Sequence, residues 1–387
     1  MRRAGAALLS CLLVVVGGCS VRRTPEPRPS PVTLSWREAA VPVPPGGAGR
    51  VMLRDAVACG DRWFVVGAVR DAEGGTRPAA WSSADGAAWS PVPVVAVSYY
   101  GQRNVLSSVA CRDGRMAALG AKSGGAHGYP RTSSWHQGAD GVLREVSAPF
   151  VLFGGSSAVN VARMDAGPQG FVISGNRMSG AAVWTSADAS RFEILEGAPG
   201  LASDAGGETW AFDAVGSAEG WLLVGGFLPA GRTDRDVLGW RSVDGSVWRR
   251  LPTVGASEAY EELHRVVLRG GVPVGVGLRG SSFGVWRLES GEWRPAGSFG
   301  SVRADGSPGV RALSESAGRL FCVTTDGSAY GLWVSDDAGG RWRPVAAPVE
   351  VPAVAESALV VAGGGSRVVV LSDDAEVGRI HVAEIGT

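Results

Sequence analysis

The sequence predicts an all-β protein, a seven-bladed β-propeller of four-stranded antiparallel blades whose N-terminal strand closes the last blade. Three observations carry this expectation. The first is a repeat: Trp81, Trp135, Trp184, Trp240, Trp286 and Trp333 follow one another at intervals of 54, 49, 56, 46 and 47 residues. That period suits one blade. The second is the content of each interval. Short alternating apolar segments rich in β-branched residues are separated by clusters of Gly, Asp and Ser, and no 3.6-residue periodicity is sustained. Alternation marks strands and the clusters mark turns. The third lies at the ends. Six markers alone would give six blades, but the C-terminal "ALVVAGGGSRVVVLSDDAEVGRIHVAEI" supplies three strands of a further one. Near the start, "VTLSWREAAVPV" reads as the missing fourth, with Trp36 matching Trp89, Trp248, Trp293 and Trp342. Pairing the two ends closes the ring and removes exposed edges. The propeller is expected over residues 32–387.

Each unit is read in the same order. A first strand such as "AVAC" is followed by a tight turn and a second strand such as "WFVVGAV" or "WLLVGGF". A variable loop leads to the marker strand, "AAWSS" or "LGWRS", and a repeated turn leads to a fourth strand beginning with Trp. Thirteen of the 14 tryptophans fall on repeat positions and are expected in the core. Trp210, in "GGETWAFDAV", is placed where a long loop enters blade four.

Ahead of the repeats, Arg2 and Arg3 precede an apolar run, Ala6 to Val16, too short to span a membrane and suited to a signal h-region. It ends in "VGGC", Val16 to Cys19, which resembles the bacterial lipobox. The resemblance implies a signal peptide over residues 1–18, a lipid on Cys19 Sγ, and an extracytoplasmic protein held to the cell membrane. Residues 19–31, with alternating prolines, read as an extended tether. The net charge of +0 gives no electrostatic case for nucleic acid. Lys122 is the only lysine, and the wealth of Arg, Ala, Gly and Val points to an actinobacterial genome. A monomer is expected.

Behind Cys19, three cysteines remain: Cys59, Cys111 and Cys322. Cys59 in "AVACGDRW" and Cys111 in "SVACRDGR" occupy the same place in neighbouring repeats. An extracytoplasmic compartment permits a disulfide between them, and two small buried residues would read the same. Cys322 is expected in the core.

"SDDAGGRW", Ser335 to Trp342, resembles the Asp-box, or BNR repeat, a hairpin turn between the third and fourth strands of a blade. "SADGAAW" and "SVDGSVW" are one residue shorter, and "SADASRF" has no glycine. The resemblance implies that Asp85, Asp188, Asp244 and Asp337 accept backbone hydrogen bonds within these turns. Asp-boxes are shared with sialidases, in which they lie opposite the active site. A sialidase needs three arginines, a Tyr–Glu pair, an acidic Asp and an Arg-Ile-Pro-type motif, and that motif is missing. Arg54, Arg265 and Arg311 near the start of first strands, with Asp55, Asp213 and Glu262, are the candidates for such a cluster.

"GVGLRG" and "GSSFG" spell a dinucleotide fingerprint and a nucleophile elbow, but each requires a helix where this sequence continues as strand. No metal-ligand spacing is present, so neither metal nor cofactor is expected. The loops between second and third strands and between blades share one face. On or beside them lie Tyr99, Tyr100, Arg103, Trp210, Asp213, His264 and Arg265. Two functions are weighed. The favoured one is a lipid-anchored binding or scaffold propeller without catalysis, engaging a protein, peptide or glycan through an aromatic mouth free of close carboxylate pairs. The alternative is a divergent, sialidase-like, carbohydrate-active hydrolase with paired carboxylates or clustered arginines in the central pocket.

Overall fold

The computed structural model describes residues 30–386 except 125–129, 256–257 and 304–305. Cys19 and the proposed signal peptide lie outside these residues. Seven four-stranded antiparallel units form a ring, and blade two carries a short extra strand, Val94–Val95, at its outer edge. The first strands are Arg50–Cys59, Val105–Arg112, Ala158–Gly167, Gly207–Ser217, Glu261–Arg269, Gly309–Ser316 and Ala358–Gly364. They lie side by side around the central channel. Among the described residues, helix is confined to one turn at Phe150–Phe153 and a 3-10 turn at Gly101–Arg103. No described helix is long and apolar enough to cross a membrane.

The ends meet as the sequence predicts. Arg37–Ala39 pairs antiparallel with Gly378–Glu384, in the register Arg37 to Val382, and so becomes the fourth strand of blade seven. The residues ahead of it also grip blade six. Val32 forms a parallel bridge to Val345, and Trp36 Nε1 donates to Ala346 O at 2.9 Å. One segment thus staples two blades.

The marker tryptophans explain why the repeat survives. Trp81, Trp135, Trp184, Trp240 and Trp286 are fully buried between blades. The indole nitrogens of Trp81, Trp135, Trp184 and Trp240 tie the third strand to the connection that enters the same blade. Trp81 donates to Pro42 O at 2.8 Å, Trp184 to Leu152 O at 2.7 Å and Trp240 to Gly200 O at 2.8 Å. Trp333 differs: it is half-buried and donates within its own blade, to Thr324 Oγ1.

The repeated turn has one geometry despite its varied spelling. Ser83, Ser186, Ser242 and Ser335 each accept, through Oγ, the N–H of Gly86, Ala189, Gly245 and Gly339 at 2.8–2.9 Å. Asp85, Asp188 and Asp244 accept the N–H one residue further on, and Asp337 the one two residues further on, at 2.8–2.9 Å. Such charge-assisted bonds favour the ionised carboxylate. The N–H groups of Ala88 and Ala87 hold Asp85 down to about 2. The turn needs a left-handed residue, supplied by Gly86, Gly245 and Gly339 in three copies, and Ala189 adopts it at φ 64° in the fourth.

Cys59 and Cys111 are joined as a disulfide, with Cα atoms 5.8 Å apart, linking the ends of the first strands of blades one and two. Cys322 is a buried free thiol.

Candidate functional site

Six of the seven first strands break register at the same height. The shifts fall between Leu53 and Asp55, Leu106 and Ser108, Val161 and Met164, Ala211 and Asp213, Leu263 and Arg265, and Val310 and Ala312. A bulge releases a residue from the ladder and re-aims its side chain. The residues at or just after these bulges include Arg54, Asp55, Arg163, Phe212, Asp213, His264, Arg265 and Arg311. A ring of bulges therefore delivers charge to a channel whose surroundings are apolar.

The centre of this ring is Arg163. Its Nη2 lies 2.9 Å from Asp55 Oδ2, and its Nε lies 3.6 Å from Asp213 Oδ1. Both carboxylates also brace the next blade, Asp55 accepting Val109 N–H at 2.9 Å and Asp213 accepting Val266 N–H at 3.1 Å. Arg265 completes the group, donating through Nη1 to His264 O at 2.6 Å and through Nε to Arg311 O at 3.1 Å.

Burial and proximity tune these charges. Burial works against the charge of Arg163, but Asp55 and then Asp213 outweigh it and hold the guanidinium above its ordinary value. Arg265 is pushed down to about 10, first by burial and then by the like charge of Arg163. Burial raises Asp213, against the pull of Arg265 and Arg163. Half-buried Asp165, which accepts Gly216 N–H at 3.0 Å, rises from 3.8 to about 7 through burial and the repulsion of Asp213.

A stability consequence follows from Asp165. Between about pH 4 and pH 7 the unfolded chain has lost this proton while the folded protein keeps it. Folded-state proton binding therefore stabilises at low pH, and the benefit is lost as pH rises toward 7. Asp165→Asn, which cannot ionise, is expected to gain stability over wild type steadily across that window. Denaturant midpoints of both proteins at pH 5 and pH 8 check it; a constant difference would contradict the assignment.

His264 is not free to act as a base. Its Nδ1 accepts Val310 N–H at 3.2 Å, which leaves Nε2–H to donate to Glu262 Oε1 at 2.6 Å. Phe212 packs on the imidazole with ring centres 4.7 Å apart. Glu262 also takes Arg235 Nη1 at 3.0 Å. Burial pushes the Glu262 carboxyl up, but hydrogen bonds led by that of His264 hold it below the usual range.

The structure gathers part of what the sequence proposed. Asp213, His264, Arg265 and Arg311 converge on the channel. Arg54 does not join them: its Nη1 lies 2.6 Å from the fully buried Asp373 of blade seven, and its Nη2 donates to Glu356 O at 2.8 Å. Trp210 sits within the first strand of blade four rather than on a loop, with Arg235 over its ring at 5.2 Å. Tyr99, Tyr100 and Arg103 cluster instead on the connection from blade one to blade two, where Arg103 lies 4.0 Å from the Tyr99 ring centre. Sequence reasoning missed Arg163 and Asp165. Aligning the first strands at their bulges would have found Arg163, since Arg54-Asp55, Phe212-Asp213 and His264-Arg265 fill the same slot. Among the described residues, no three His, Cys, Asp or Glu side chains are grouped to hold a metal ion.

The fold and its channel define a seven-bladed β-propeller. By sequence, no family model and no curated protein matches the chain. Solved structures do. The β-propeller domain of the Trilobed protease from Pyrococcus furiosus matches with a TM-score of 0.50 at 9% identity, over 87% of this chain and 94% of that one. A puromycin hydrolase matches with a TM-score of 0.49 at 18% identity, over 84% of this chain, which spans only 50% of that enzyme's length. The periplasmic gluconolactonase of Pseudomonas aeruginosa matches at 0.46 and 14% identity, over 76% and 88% of the two chains. At these identities the likeness establishes the architecture.

The favoured expectation, a binding or scaffold module without catalysis, is corrected here. It required a mouth free of close carboxylate pairs, and Asp55 and Asp213 flank a single guanidinium there.

Proposed function

We propose that the protein is a hydrolase that works in the mouth of its central channel on a carboxylate-bearing substrate of the carbohydrate class. The observation that supports this reading is the convergence of Arg163, Arg265 and Arg311 beside Asp55, Asp165 and Asp213. Guanidinium groups are suited to hold a carboxylate through paired N–H donors. Arg163 is already committed to two aspartates, so Arg265 and exposed Arg311 are assigned the substrate's anion. Two carboxyl groups whose surroundings separate their proton affinities divide acid and base work between them. Asp165, poised near neutrality, is assigned proton donation to the leaving oxygen, and Asp213 is assigned the negative charge opposite it.

The finer assignments belong to the same reading. The repeated Ser–Asp turns and the arginine cluster resemble those of sialidases, though seven blades and the missing Arg-Ile-Pro-type motif separate this chain from them. Lipidation at Cys19 would hold a monomer outside the cytoplasm, on the membrane, with residues 19–31 as its tether. Turnover of fluorogenic sialosides, glucuronides and neutral arabinofuranosides tests the proposal. An acidic glycoside is expected to be cleaved, Asp165→Asn to lower kcat by at least about 100-fold, and Arg311→Met mainly to raise KM. Cleavage of neutral substrates alone, or an unaffected Asp165→Asn variant, would refute it.

A further inference from the structure

A second concavity lies away from the channel, between blades two and three. It has two lobes of about 510 and 570 Å³ that meet at Arg131 and Phe150. Arg131 opens the third strand of blade two. Its guanidinium lies 4.3 Å from the Phe150 ring centre and 5.6 Å from that of Tyr100. Stacking occupies the faces of the guanidinium and leaves its in-plane N–H donors available. Arg131 Nε is shielded from solvent and, among the described residues, has no hydrogen-bond partner. A buried guanidinium N–H without an acceptor is an unsatisfied donor.

The surroundings narrow the ligand. Glu145, which also lines the cavity, is spent on other groups: it accepts the N–H groups of Val97 and Ser98 at 2.8 Å and the hydroxyls of Ser98 and Ser133 at 2.6 and 2.9 Å. Its charge stays beside the cavity and disfavours a dianion such as phosphate. The rim is apolar, with Val97 and Phe150 each about 60% exposed. We propose that this groove is a second ligand site, taking a singly charged carboxylate joined to a flat apolar body. The carboxylate meets the edge of Arg131, and the apolar body lies against Phe150 and Phe153.

Binding of 3-phenylpropionate and of its neutral amide to the protein, followed by ligand-observed NMR, tests this site. The acid is expected to bind, and the amide to bind at least about tenfold more weakly, the range for one charged hydrogen bond. Arg131→Met is expected to bring the acid down to the amide's level, with Arg131→Lys falling between. Phe150→Ala should weaken both ligands, and Arg311→Met in the channel should change neither. Thermal melts confirm folding; should Arg131→Met fail to fold, the acid–amide comparison and Phe150→Ala decide the matter. Equal binding of acid and amide, no binding of either, or unchanged acid binding in Arg131→Met would overturn the proposal.

Discussion

Arg163→Met is expected to destabilise the propeller by about 3–5 kcal/mol, among the largest effects of any single substitution outside the aromatic core. Asp55 is 2% exposed, and its only cationic partner within 4 Å among the described residues is Arg163. Removing the guanidinium strands a carboxylate in an apolar wall, with Val109 N–H as its remaining donor. The cost comes from the charge left behind rather than from the strength of the pair. The double variant Asp55→Asn, Arg163→Met should therefore recover most of the loss. Denaturant unfolding of the two single variants and the double one measures the coupling. Additive losses would mean that the two residues do not act as a buried pair.

Trp240→Ala is expected to cost about 3–5 kcal/mol for the cavity alone. Trp240 is fully buried and also holds Gly200 O at 2.8 Å, so the variant removes one of the two donors to that carbonyl of the blade-four connection, leaving Arg250 Nε at 3.1 Å. Val243→Ala, three residues on, is the matched control: Val243 is 74% exposed and its loss should be within experimental error. Comparable losses in the two variants would show that the tryptophan stripe does not carry the packing between blades.

The architecture was legible because each blade solves the same problem with the same residues. An indole on the third strand fills the gap between neighbouring sheets, and a Ser–Asp turn fixes the corner that follows. Even the shortened turns were readable, since Asp85 and Asp244 reach N–H groups two residues on, where Asp337 reaches four. The seventh blade was legible only because Trp36 carries the fourth-strand signature into the N-terminal segment. The site was less so. A bulge leaves no compositional mark, and one inserted residue decides whether a side chain faces the channel or its neighbour blade. Arg54 illustrates the limit. It occupies the bulge position of its strand, yet Asp373 of blade seven, 319 residues away, captures it. Nothing near Arg54 in sequence announces that partner. Arg163 is the converse case, an unremarked residue in "NVARMDAG" that two distant aspartates make central.

The pairing of Arg37–Ala39 with Gly378–Glu384 has a consequence for how the chain is made. Residues 37–39 leave the ribosome long before their partner, residues 378–384. Blades one to six can stack as they emerge, each on its predecessor, but the ring cannot shut until residues 378–384 have emerged. During that interval the nascent arc carries an open flank at either end, and residues 37–39 have no strand to pair with. Closure is thus a single late event that commits both strands together, and a chain cut ahead of residue 378 would leave residues 37–39 without their partner as well.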